Sequence, residues 1–168
     1  MVEQQTPSVL TLNYSANDGS GSGVASKTCT MDGATTLAGH GLDSGQVINL
    51  LLELALGSHT FAVNAVDRVA NNMAATVTFN LIVTAESIKG DVNIFVGNGM
   101  IKDPGTGTSL LAKLNTAADA RAAGNCNKAS NLYHAFVDAV QAQSGQGIDP
   151  VAAAIMIADA QYLIANCP

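Results

Sequence analysis

Charge is what this chain has least of. Only 12% of its 168 residues are charged, about half the share of an ordinary soluble protein. Basic residues are the scarcer kind, 7 Lys and Arg against 13 Asp and Glu, for a net charge of −6. A surface that tracks phosphates by counterion release is thereby excluded, and with it a nucleic-acid partner. The same sign disfavours attraction to anionic membranes. Tryptophan is absent, and four Phe and three Tyr make up the aromatics, so a platform for stacking sugars would be poorly supplied. No apolar run can span a bilayer: Val47 to Leu56 is interrupted by Asn49 and Glu53, and Val151 to Leu163 by acidic charge. Met1 runs straight into Glu3, Gln4 and Gln5 with no basic segment ahead of an apolar one, so the sequence is expected to be cytosolic or a fragment lacking its signal peptide.

What is present is a chain 48% apolar with 16 glycines and many Thr, Ser, Asn and Ala. That composition describes a folded protein with a neutral polar surface, long enough for one domain or two.

The first half reads in twos. Leu10, Leu12 and Tyr14 alternate with polar neighbours, as do Phe61, Val63 and Ala65, and again Val77, Phe79, Leu81 and Val83. These are half-buried strands. Val24 to Met31 is a further strand between the turn clusters Asn17 to Gly23 and Asp32-Gly33. Gln46 to Leu56 is ambiguous, a buried strand or a short helix. Strands at this spacing predict a β-sandwich over 1–85.

After Thr84 the period changes to threes and fours, predicting a four-helix, up-and-down bundle over 86–168 and an α+β protein of two domains. Ser87 is expected to cap the first helix, Thr108 the second, and Asp149 with Pro150 the fourth. The third spans about 127 to 144, with Ala129, Leu132, Phe136 and Val140 in phase. No Pro, Gly or charge run marks the junction, so the last strand should pass almost directly into the first helix.

In such a bundle the third and fourth helices run antiparallel, which sets Cys126 beside Cys167. A disulfide there is expected, with two unrelated free thiols as the alternative. If it forms, the protein lives outside the cytoplasm. Cys29 reads as a small apolar core residue and not as a reactive thiol.

Two stretches resemble known families. Asn17-Asp18-Gly19-Ser20-Gly21-Ser22-Gly23-Val24, Leu56-Gly57-Ser58-His59-Thr60-Phe61-Ala62-Val63 and Asp67-Arg68-Val69-Ala70-Asn71 resemble a bacterial Ig-like domain over about residues 6 to 85. The last motif departs from the family in placing Ala70 where a glycine is usual, which puts a left-handed backbone position in question. Ser87-Ile88-Lys89-Gly90-Asp91-Val92, Ser109 to Leu114, Gly124-Asn125-Cys126 and Gln141 to Gly145 resemble the FIMAH domain over about 86 to 166. Modules of that kind lie near the C-termini of secreted bacterial hydrolases, peptidases and adhesin-like proteins, often after Ig-like repeats. The resemblance implies an extracellular accessory part and brings no catalytic residues with it.

Chemistry is sparse. His40, His59 and His134 show no metal spacing, and no cofactor motif is present: Gly105-Thr106-Gly107-Thr108 lacks the lysine a phosphate loop needs. His59 is expected to hydrogen-bond a neighbouring loop and His134 to sit on the bundle surface. Asp18, Asp32, Asp43 and Asp67 stand in turns, where aspartate commonly caps its own backbone. Asp18 and Asp67 are weak candidates for calcium. Tyr14 and Tyr133 are the rings expected to offer a face to a ligand, and Met100, Ile101 and Met156 could line a groove for a partner segment.

The expectation is a non-catalytic accessory module of a larger secreted or cell-surface protein. Its partners would be the rest of the parent polypeptide and a cell-surface protein or polysaccharide. The alternative is a glycan or cell-wall binding module appended to a hydrolase.

Overall fold

A computed structural model describes residues 2–3 and 9–167; the start of the expected sandwich, 4–8, lies outside the described residues. The protein is α+β, with antiparallel sheets followed by four helices. It divides into two compact units that part between Leu81 and Ile82.

The β-unit is built on a four-stranded sheet. Its members are β1 (Val2–Glu3), β3 (Val24–Met31), β7 (Gly57–Asp67) and β8 (Asn72–Ile82), in the order β1-β8-β7-β3. The strand period of two sets one face of this sheet. Cys29 lies opposite Val63, Met31 opposite Phe61, and Phe61 opposite Val77. A second ladder joins β2 (Val9–Thr11) to β6 (Val47–Asn49), with Leu10 opposite Ile48. Leu12, Leu42, Ile48 and Leu50 share one buried core with Cys29, Met31 and Leu81. A short hairpin, β4 (Thr36–Leu37) with β5 (His40–Gly41), completes the unit.

The ambiguous segment 46–56 is neither one strand nor a helix. Asn49 ends β6 by accepting from Leu51 N through its Oδ1 and from Glu53 N through its carbonyl, which folds 50–52 into a turn.

The helical unit holds α1 (Ala85–Gly97), α2 (Pro104–Ala122), α3 (Cys126–Gln143) and α4 (Pro150–Ala165). α1 packs on α2 and α4, and α3 packs on α2 and α4, which closes a bundle. Ile88, Val92, Phe95, Leu110, Leu114, Phe136, Val140, Met156 and Leu163 form its interior. The caps at two helix starts differ from expectation. Thr84, not Ser87, caps α1, and Ser87 returns the bond to the Thr84 N–H in a capping box. Asp103, not Thr108, caps α2 by accepting from Thr106 N at 2.8 Å, with Pro104 behind it. Thr108 lies inside that helix and donates to the Pro104 carbonyl. Asp149 caps α4 ahead of Pro150.

Gly107 explains why α2 starts early. It is buried against α1, and a Cβ there would stand 2.5 Å from Val96 Cγ2. At the other end of the bundle Cys126 and Cys167 are bonded, their Cα atoms 5.8 Å apart. Arg121 adds a second tie by donating to the carbonyls of Leu163 and Asn166.

Candidate functional site

A groove of about 540 Å³ lies in the β-unit. Val63, Ala65, Met73 and Ala75 line it from β7 and β8, and the 14–18 segment walls it. Because β2 and β6 are three-residue strands, they cover only part of the facing sheet. Met73 and Val77 are left 79% and 60% exposed.

Three residues singled out in the sequence meet around this groove: Tyr14, Asp18 and Asp67. Each is already committed. Asp18 Oδ2 accepts from Gly23 N at 2.8 Å, and its carboxylate lies so close to Gly21 that no Cβ would fit there. Asp67 Oδ1 accepts from Val69 N and Asn71 N, and Oδ2 accepts from the Asn71 side chain at 2.7 Å. Slight desolvation pushes its carboxyl up, but the Asn71 and Val69 donors outweigh it and hold the group below the usual 3.8. Arg68 N donates to Gly23 O and ties the two turns together. A cation held by Asp18 and Asp67 would have to compete with these backbone donors. Among the described residues no group of three or more His, Cys, Asp or Glu is placed to hold a metal ion.

Tyr14 does not present a free ring. Its hydroxyl donates to Leu42 O at 2.5 Å, its ring centroid stands 5.5 Å from that of Phe61, and Lys27 Nζ sits 4.6 Å over it. Burial and then Cys29 push its hydroxyl up to about 12. The ring walls the groove without offering a stacking face. Tyr133 is a plainer correction: at 1% exposure it belongs to the bundle core. The reason is volume. Buried positions of α2 and α4 include Ala117, Ala120, Ala152, Ala153 and Ala160, and large side chains must fill the space those small ones leave. The proposed Met100 groove is corrected likewise, since Ile101 and Met156 are core residues at 1% and 0% exposure. Met100 alone of the three lines a small hollow, beside Lys102, Ile148 and Pro150.

His59 is buried and bonded on both sides, Nδ1 to Asp32 Oδ2 and Nε2 to Ala55 O, each at 2.7 Å. A carboxylate and a carbonyl both accept, so the ring is best satisfied as an imidazolium donating from both nitrogens. Burial pulls its pKa down, yet Asp32 and the Ala55 carbonyl carry it above 6.5. With both nitrogens engaged, the ring braces a loop and is not available as a base. His134 is exposed, and Cys29 is a buried free thiol in the core of the β-unit.

Two residues the sequence reading passes over are Asp91 and Asp159, buried at 1% and 3% exposure on α1 and α4. A signal was available: Asp91 falls in phase with Ile88, Val92 and Phe95, and Asp159 with Met156, Ala160 and Leu163. A charge on an apolar stripe is costly unless paired or neutralised.

Residues 85–165 match the FIMAH domain family. No curated protein and no solved structure matches the chain.

Proposed function

We propose that this chain is a non-catalytic accessory part of a larger secreted or cell-surface bacterial protein, where a FIMAH domain and an Ig-like β-unit space, anchor or attach the parent polypeptide. The observation that carries this reading is the FIMAH domain at 85–165. The Cys126–Cys167 bridge supports it, since such bonds persist in oxidising compartments. So do short antiparallel strands whose two ladders share a core, the pattern of an Ig-like sandwich. The ionisable groups of the β-unit singled out above, Asp18 with Asp67 at the groove and Asp32 with His59 apart from it, spend polar atoms on the fold. Purified chain is expected to show no turnover of ester, glycoside, phosphoester or peptide substrates above buffer. Turnover that disappears in His59→Gln or Asp67→Asn would overturn the reading.

A second reading, a glycan or cell-wall binding module, is favoured by the groove, where Asp18, Asp67, Asn71 and Asn72 rim an apolar floor. Polar rims over apolar floors suit sugars, which present hydroxyls at their edges and C–H groups on their faces. Retention on cell-wall polymers that is lost in Met73→Arg would support it. No retention at about millimolar glycan, the weakest range of useful affinity, would remove it.

A further inference from the structure

Asp91 on α1 and Asp159 on α4 are both buried, on helices that pack against each other, and their carboxyls interact. Among the described residues no donor reaches either oxygen of Asp91 or Oδ2 of Asp159. The charged residues of the surrounding helices are engaged or turned outward. On α1, Glu86 pairs with Lys89. On α2, Arg121 is held by the Leu163 and Asn166 carbonyls, Asp119 is exposed, and Lys113, half-buried, bonds neither oxygen of Asp91 nor Oδ2 of Asp159. On α3, Lys128, His134 and Asp138 are exposed, and on α4 Asp159 is the sole charged residue. Two carboxylates in contact, with no cation and little water, cannot both carry charge. One proton shared between them removes the repulsion and supplies the missing donor.

We propose that Asp91 and Asp159 form a proton-controlled latch of the helical unit, which holds α1 on α4 while the pair keeps its shared proton and loosens when that proton leaves to solvent. On losing it the pair passes from one negative charge to two inside the bundle. Burial, first, raises both groups, Asp91 to about 6 and Asp159 to about 8, with the Asp91 charge a further cause at Asp159. In the unfolded chain both ionise from the ordinary 3.8. From that value upward the folded state therefore binds more protons than the unfolded one, and stability falls as pH rises. Below it the contribution is flat and fully present.

The test is denaturant unfolding of the whole chain, followed by the helical circular-dichroism signal, at about pH 5 and about pH 9. One unit of pKa shift is a ten-fold change in the folded-to-unfolded ratio. That ratio is expected to fall at least ten-fold for the unaltered chain and less than about two-fold for the Asp91→Asn, Asp159→Asn double variant, which removes both buried carboxyls. A pH slope that survives in the double variant overturns the proposal. Should that variant not fold, carboxyl-detected NMR of the unaltered chain decides. Both side chains titrating in the ordinary carboxylate range would overturn the latch, and at least one titrating well above it would support it. Hydrogen exchange at the higher pH is expected to rise in α1 and α4 ahead of α2 and α3.

Discussion

The two units reach stability by different means. In the helical unit Ile88, Val92, Leu114, Phe136, Val140 and Met156 are wholly buried, so packing carries the fold and a covalent bond supplements it. In the β-unit the buried core is seven residues, while eight of the eleven residues of β8 stay exposed. Its order rests on side-chain carboxylates: Asp18, Asp32 and Asp67 each bind backbone N–H groups of a turn or strand. The contrast shows how one chain of low charge can spend its few aspartates as local braces where the core is thin. Where the core is thick, it buries two of them against each other.

The largest test of that contrast is removal of the bridge. Cys126→Ser with Cys167→Ser is expected to cost about 2–4 kcal/mol on the loop-entropy argument for the 41-residue separation. The loss should appear in the helical transition and leave the β-unit's transition in place during urea unfolding. Equal shifts in both would show that the units do not unfold separately. Next is Gly107→Ala, which drives a Cβ into Val96 and should cost about 1–3 kcal/mol by overpacking. Val96→Ala added to it should restore part of the loss, measured as a double-mutant coupling.

Smaller effects probe the β-unit. Asp32→Asn keeps a residue that tolerates the positive φ of 52° and removes the charge that faces His59. With the Asp32 side chain 46% exposed, the loss should be about 1 kcal/mol. His59 has its pKa raised, so its contribution is present below 6.5 and is lost as pH rises through the folded value. Asp32, held down first by His59 and then by Thr60 N, contributes above 3.8 and loses that contribution as pH falls. The pair is therefore worth most between those values. Asp32→Asn should flatten the β-unit's pH dependence there in thermal scans. Smallest of all, Ala70→Gly should stabilise by about 0.5–1 kcal/mol, because Ala70 holds a φ of 69° that glycine adopts without strain.

Ala70 also shows what was readable in the sequence. The departure from glycine in Asp67-Arg68-Val69-Ala70-Asn71 put a left-handed position in question; the backbone keeps that position with alanine in it, braced by three bonds to Asp67. Strand alternation and the Asp149-Pro150 start are local signals, and both appear where they were read. The same Asp-Pro signature stands at Asp103-Pro104. Gly105 and Gly107 disguised it as a loop, because the need for space beside Val96 is a tertiary fact. Tyr133 failed for a related reason: helical phase alone does not say which large ring fills the volume that alanines leave. The groove was half legible. Tyr14, Asp18 and Asp67 were singled out one by one, but the floor was not, since an alternating strand does not reveal how far its covering sheet extends.

The bridge between residues 126 and 167 also governs how the module responds to pulling. Tension applied beyond Cys167 enters the fold at Cys126 and bypasses α3 and α4, which lie inside the closed loop. With the bond intact, roughly 140 Å of extended chain, from the 41-residue separation at about 3.5 Å per residue, stays out of reach of the force. A stretched molecule would lengthen by that much less than its reduced counterpart, which makes the sulfur pair a stop on extension.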